Sequence, residues 1–495
     1  MKKDPGNGGT NADGTMEPIA VYPPRLQQKI LAQEAPGKAP VTLAIVIPSV
    51  TRPMQPFAVN VSVLDANGYP SLQCDDRVRI ETPDDGTTEI AFSRGKPAVG
   101  CLHGIRCNHE GLLRLSATCG PLSACSNPTL CTSEDVPGIY WGDPHVHTLL
   151  SNCHPDRCRS LNFCFTAARY LSALDWVAAA DHVSNGRCDF SKWKEQQTVA
   201  NLYDDAPDFV TLPAYEASLK GGAGGDNNVY MSRFPDMFVD EYAGGDVRTL
   251  CRSLRDRLPK DEFFVAPHHT TRTGKHGEIS DDIYPGPEAM PVLEIHSKWG
   301  TSEYRGNPSP LKKVHDGPSY ARDLLQRGLK LGFVAGTDSH ATMPSGGGEE
   351  PGHIDRLPGL TAVRCRALTR PSVFHALRQR QCYAASGERI LLHGSIAGRE
   401  FGDEWSFSER STPPEIDVLI AARSNITRVD VVRNGRTIHT ATPNAWHTRL
   451  AFEDTDDLRT VWTSSRHMKE FIYYYVRVSC DSGAQAWSSP VWMRG

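Results

Sequence analysis

Between residues 138 and 388, short apolar runs alternate with longer amphipathic stretches, and this rhythm constrains the fold more than any other feature of the chain. Strand candidates are "IYWGDPHVH", "LDWVAAADH", "DFVTLPAYE", "NVYMSR", "FFVAPHH", "VLEIHS", "LGFVAGTDSH" and "LTAVRCRA". Helix candidates fall among them: "LNFCFTAARYLSAL", "VRTLCRSLRDRL", "SYARDLLQRGLK" and "PSVFHALRQRQC". In "SYARDLLQRGLK" the apolar residues recur at helical spacing, and Gly328 suits the helix end because glycine enters the left-handed region without a Cβ clash. Strands separated by helices are joined by crossovers, which favours parallel pairing. The expectation is a parallel α/β domain, either barrel or doubly wound.

The flanks read differently. Residues 18–137 carry "VTLAIVIPSV", "FAVNVSVLDANGYP", "DRVRIET", "TEIAFS" and "GLLRLSATCG", short alternating runs cut by Gly, Pro, Asn and Asp, which predict a β-sandwich-like region. Residues 389–495 return to β-type text, with "RNGR" as a hairpin turn. Residues 1–17 hold two lysines but no apolar run and read as a disordered lead rather than a signal peptide. A chain of 495 residues is expected to form two or three such domains.

Composition narrows the partners. A net charge of −5 with 22% charged residues offers no electrostatic footprint for nucleic acid. No apolar stretch reaches the roughly 18 residues that cross a bilayer. Six of the 14 cysteines (Cys74, Cys101, Cys107, Cys119, Cys125 and Cys131) lie in the N-terminal quarter. They suit disulfides in an exported protein or reduced thiols in a cytoplasmic enzyme, and the second reading is preferred without a signal peptide. No C-x-x-C occurs, which argues against zinc-ribbon and thioredoxin-like motifs.

Metal-capable side chains close the strand candidates. His145 and His147 end the first, His182 follows Asp181 at the end of the second, and Glu216 ends the third. His268 and His269 end "FFVAPHH", His296 ends "VLEIHS", and Asp338 and His340 end "LGFVAGTDSH". Parallel α/β folds gather their sites at the C-terminal ends of strands. Residues two apart on a strand project the same way, so His145 with His147, and Asp338 with His340, can each share an ion. Imidazole and carboxylate together suit Zn, Mn or Fe, and so many ligands exceed one ion and fit two or three. Such a cluster, bridged by Glu216 or Asp338, would hold a hydroxide as nucleophile and stabilise both oxygens of a phosphoryl displacement.

In order, "DPHVHT", "ADH", "PAYE", "APHH", "EIHS" and "GTDSH" resemble the motifs of the PHP (polymerase and histidinol phosphatase) superfamily of metallo-phosphoesterases. The flanking β-regions, with "YYYVRVSCDSGAQAWSSPVW", resemble a branch of it known as a domain of unknown function. The resemblance implies a distorted (β/α)7 TIM-like barrel hydrolysing phosphate esters. It implies a first metal site from His145, His147, Glu216 and Asp338. A second would come from Glu216, one of His268 and His269, and His296. The third would use His182, His340 and a residue after the His-x-His pair. Cys153 stands where that last ligand normally falls and His154 comes one later; His154 is the expected ligand, the turn absorbing one residue. Strand alternation with Ala266 points His268 inward, leaving His269 beside the ions as proton donor or substrate contact.

Arg272, Lys275 and His276 follow the His pair as candidates to clamp an anionic ester. "GGAGGDNNVY" and "PSGGGEEPG" read as flexible loops rimming the site, and no G-x-S-x-G elbow supports serine catalysis. The expected function is a metal-dependent phosphoesterase acting on a small anionic ester. A sulfate ester hydrolase, or a non-catalytic binding protein keeping its metal, is the alternative.

Overall fold

The computed structural model describes residues 18–83, 86–183, 189–219, 222–236, 245–273, 276–315, 317–346, 357–407 and 413–495. The expected disordered lead, Lys275, and part of each glycine-rich loop lie outside them. Two compact units are present: residues 1–139 with 169–173, and residues 140–168 with 174–495.

The first unit is built mainly from antiparallel sheets, with one parallel pair between Val50–Thr51 and Thr129–Cys131. One has the strand order Ile19–Val21, Val99–Ile105, Phe57–Leu64, Thr42–Val46; another runs Leu122–Cys125, Ser116–Cys119, Arg77–Glu81, Thr87–Ala91. Their inward residues meet in one apolar core containing Leu43, Ile45, Val59, Val61 and Val63 from the first sheet and Val78, Ile80 and Ile90 from the second. The period-two pattern of the sequence produces this packing, each buried valine or isoleucine contributing about 1.5–3 kcal/mol. In "DANG" the Asp65 carboxylate accepts the Asn67 and Tyr69 N–H groups (2.9 and 3.0 Å), while Gly68 takes a φ of 80°. No disulfide joins the thirteen described cysteines.

In the second unit, Gly138–Val146, Trp176–Ala179 and Val210–Thr211 pair in parallel as the alternation predicts. The expectation of a (β/α)7 barrel then fails. Strand accounts for 40% of the structure and helix for 15%. Ala214–Ser218, Asp226–Met231 and Phe263–His268 form a separate antiparallel sheet, because the chain doubles back after Ser218 instead of crossing over through a helix. Val292–Ser297 and Gly332–Ala335 pair in parallel within a third sheet that also holds Gly300–Thr301. Gly359–Cys365 and Cys382–Ser386 are antiparallel, and the latter pairs Gln485–Ser488. That pairing joins the chain's last strands to Gly138–Val146 and its parallel neighbours in a thirteen-stranded sheet among the described residues.

The helices are also shorter than their patterns suggested. "LNFCFTAARYLSAL" forms Leu161–Thr166 followed by a π-turn, and "SYARDLLQRGLK" forms Ala321–Gln326, with Gly328 past its end at φ 77°. Among the described residues no helix is long and apolar enough to cross a membrane.

Buried polar groups tie the second unit together. Glu303 accepts hydrogen bonds from Tyr475 Oη, Arg477 Nη1 and Trp487 Nε1, each at 2.7 Å. Arg477 is also held by Asp430 through Nη2 at 2.7 Å. A buried carboxylate with three donors is well compensated, and Arg477 is shared between two such carboxylates.

Candidate metal centre

Two isolated parallel bridges, Val146 to Ser339 and His182 to Glu216, draw four strand ends together. Asp143 fastens this corner: its carboxylate accepts the N–H groups of His145, Thr337 and Ser345 and the Thr337 hydroxyl. Gly336 permits the close fit, since a Cβ there would come within 2.7 Å of the His145 Cβ.

At the centre, His145 Nε2 and His147 Nε2 lie 3.2 Å apart. Asp338 Oδ1 lies 3.5 and 3.0 Å from them, and Glu216 Oε2 3.6 and 3.2 Å. The outer nitrogens of both rings are held by protein. His145 Nδ1 meets Glu294 Oε2 at 3.0 Å. His147 Nδ1 meets Ser151 Oγ at 2.9 Å, and that hydroxyl donates to Asp181 at 2.7 Å. Each outer contact orients its ring and leaves Nε2 as the atom facing the carboxylates.

The two carboxylates bridge. Glu216 Oε2 also lies 2.9 Å from His182 Nδ1, and Oε1 lies 3.4 Å from His268 Nε2. Asp338 Oδ2 lies 3.4 Å from His269 Nε2, and Oδ1 lies 3.6 Å from His340 Nδ1. Glu216 Oε2 and His182 Nδ1 are buried atoms without a hydrogen-bond partner. Buried nitrogens and oxygens that converge without hydrogen-bonding are what a cation satisfies, so the residues present fit divalent ions.

The electrostatics agree. Burial opposes charge on His145, yet Asp338 and Glu294 hold its pKa well above the ordinary imidazole value. His147 is pushed well below that value by burial and by His340 and His182. Burial would raise Glu216, but His182, His145 and His268 hold it well below the carboxylate range. Asp338 is pushed up to about 6 by burial, against the pull of His145 and His340.

Cys153, not His154, joins the cluster. Ligand atoms of His147, Cys153, His182 and His340 all lie within 4.8 Å of one another. His154 instead receives Arg157 Nη2 on its Nδ1 at 2.6 Å. The turn explains the change: Leu149–Ser151 is a short 3₁₀ helix ended by Asn152 at φ 50°, and the chain leaves it with Cys153 facing inward. Cys158 hydrogen-bonds the Cys153 sulfur, which, with His182 and His340, lowers the Cys153 thiol far below its ordinary range against the effect of burial.

His296 is likewise outside the cluster. Its Nδ1 meets Thr301 Oγ1 at 2.8 Å, its Nε2 meets the Leu357 carbonyl at 2.9 Å, and its ring stacks on Trp487. The strand register shifts between Glu294 and His296, and such a shift re-aims side chains two apart that a regular strand would present together. Glu294 therefore reaches His145 while His296 packs elsewhere. Sequence reasoning missed Glu294, although it lies in "VLEIHS" two residues before His296, on the face a regular strand would share with it.

Both His268 and His269 face in. His269 follows the strand at φ 53°, a left-handed turn that cancels the usual alternation, and Asp338 sits at φ 50°. Non-glycine residues in this region cluster at functional sites, where the surrounding structure holds the strain. Arg272 places its guanidinium carbon 4.9 Å from the centre of the Trp299 ring, whose own neighbours are the rings of His269 and His340. Trp299, also unforeseen, gives that arginine a fixed perch at the rim. His276 pairs with Asp226 through Nδ1.

No protein-family model matches the chain. An uncharacterized protein of Chlamydia muridarum is 34% identical over 379 residues, covering 74% of this chain and 59% of the relative. An uncharacterized protein of Chlamydia trachomatis is 32% identical with the same coverage. The chain thus spans 59% of the length of these curated relatives. Among solved structures, a β-glucuronidase of Bacteroides uniformis shares 8% identity over 92% of this chain and 61% of that one, with a TM-score of 0.19. A Salmonella α-2-macroglobulin shares 8% over 93% of this chain and 24% of that one, with a TM-score of 0.17. At these scores neither likeness carries a structural argument.

Proposed function

We propose that the second unit is a metal-dependent hydrolase of phosphate esters, using two or three divalent ions in a site of imidazole, carboxylate and one thiolate. The observation that carries this reading is the pair of buried carboxylates, Glu216 and Asp338, each set against several histidines. Zinc or manganese suits such donors, with iron as a third choice, and Cys153 adds a soft ligand that favours zinc at its own position. Ions bound there would activate water and neutralise charge on the ester. Around them Glu294, Ser151 and Asp181 keep the rings aimed, Arg272 on Trp299 receives the anionic group, and His269 stands beside Asp338. The PHP resemblance supports this chemistry through its ordered motifs alone, since the barrel it implied is not formed. The buried thiols of the first unit fit a reducing compartment, and we place the protein in the cytoplasm.

The experiment is metal content per chain with turnover of p-nitrophenyl phosphate against p-nitrophenyl sulfate. Bound zinc or manganese with preference for phosphate supports the reading. Preference for sulfate would move it to a sulfate ester hydrolase, and bound metal without turnover to a binding protein.

A further inference from the structure

Two residues that the proposed chemistry leaves aside, Asp226 of "GGAGGDNNVY" and His276 of "HHTTRTGKHG", meet at one point. Asp226 begins the strand Asp226–Met231, and its register partner across the sheet is His268. His276 reaches the same place from the later loop and pairs with Asp226 through Nδ1. Ligand atoms of Asp226, His269 and His276 all lie within 4.8 Å of one another. His269 also belongs to the group formed with His268 and Asp338, so this second group adjoins the centre through a shared residue.

We infer that Asp226, His269 and His276 form an additional divalent-cation site at the edge of the centre. This rests on the reading of that centre as a metal site.

Three observations carry it. Asp226 is 2% exposed, and its Oδ1 is buried without a hydrogen-bond partner. The contact with His276 accounts for Oδ2 only, so an ordinary Asp–His pair leaves one carboxylate oxygen desolvated and unanswered. A cation would resolve it. Next, the backbones that carry the two outer ligands touch. Gly225 precedes Asp226 at φ 63°, and a Cβ on it would lie 2.3 Å from the nitrogen of Gly277, the residue after His276. Only glycine at 225 lets the two loops close to this distance, which brings the carboxylate and the imidazole together. Finally, His296 is committed to Thr301 and Leu357 and offers no nitrogen to an ion here. Two imidazoles and one carboxylate suit Zn²⁺, Mn²⁺ or Fe²⁺ and leave coordination positions open. An ion here would take the anionic group of a substrate, alongside Arg272.

The test uses full-length protein stripped with a chelator, reloaded with Zn²⁺, dialysed and measured for zinc per folded chain. Wild type is compared with the Asp226→Asn/His276→Gln double variant, with His276→Gln alone, and with Gly225→Ala, each checked by thermal melting. The double variant is expected to lose about one Zn²⁺ per chain and keep the others. Gly225→Ala should weaken that same ion tenfold or more. Zinc stoichiometry and affinity equal to wild type in the double variant overturn the inference, as does loss of all zinc, which would make the pair part of the core. If the double variant does not fold, His276→Gln decides by the same criteria, since this residue is only partly buried. Wild type that binds no zinc would instead refute the metal reading of the whole centre, a result distinct from either.

Discussion

Replacing Glu294 by glutamine tests whether the centre depends on the carboxylate behind His145. The substitution keeps shape, which matters because the site is tight: a Cβ on neighbouring Gly336 would come within 3.0 Å of Glu294 Oε2. What changes is charge. Glu294 Oε2 lies 3.0 Å from His145 Nδ1, with Glu294 3% exposed and His145 fully buried. A hydrogen bond to a charged group contributes about 1.5–3 kcal/mol and a neutral one about 0.5–1.5, so the amide loses about 1–1.5 kcal/mol at this contact. His145 also becomes a poorer donor to an ion, because the carboxylate raises the basicity of the ring. Outer partners of this kind typically contribute 10–100-fold to metal affinity. The expected result is therefore a 10–100-fold weaker Zn²⁺ affinity, about 1.4–2.7 kcal/mol, with an unchanged fold. Competition against a chromogenic chelator measures the affinity, and circular dichroism checks the fold. A change smaller than twofold in a folded variant would show that Glu294 does not orient a metal-binding ring, and the assignment of His145 Nε2 as a ligand would fall with it.

Other outcomes follow from the same geometry. Cys153→Ser should lower metal content or affinity, whereas His154→Ala should leave metal content within error of wild type; the reverse pattern would restore the one-residue shift read from the sequence. His296→Ala should cost stability through its lost stack on Trp487 while sparing metal content, as followed by melting and elemental analysis. Asp338→Ala should abolish turnover and reduce bound metal, and retention of both would refute the cluster. Chelation of the wild-type protein should lower its melting temperature, since ligands that bind only the folded state stabilise it by about 4 kcal/mol at a thousandfold excess over Kd.

The order of the strands that carry the clustered His, Glu and Asp residues was readable from local pattern. Apolar runs ending in His, Glu or Asp are local features, and Glu216, His145, His147, His182, His268, Asp338 and His340 fall into overlapping groups of close side chains. The β-rich first unit was equally legible, because period-two burial is written directly into runs such as "FAVNVSV". Pairing direction was not. Whether "NVYMSR" returns beside "LPAYE" antiparallel or crosses over in parallel depends on how the chain turns between Ser218 and Asp226, and on which edges are free to pair. That is a property of the assembled sheet, and it replaced the expected barrel with separate ladders.

At the centre, tertiary structure decided every point where strict alternation breaks. A register shift turned His296 away and left Glu294 as the residue that orients His145. Left-handed backbone at His269 and Asn152 brought in one side chain that alternation pointed out and exchanged His154 for Cys153. These conformations have no mark in composition, because each is held by contacts from distant segments: the Asp181 carboxylate under the 148–151 turn, the Thr301 hydroxyl and Leu357 carbonyl around His296. The sequence alone determined the inventory of donors and the strand ends that present them. Which nitrogen, oxygen or sulfur faces the shared space was settled by packing, since only the folded chain brings residues 145, 216, 268 and 338 within reach of one another.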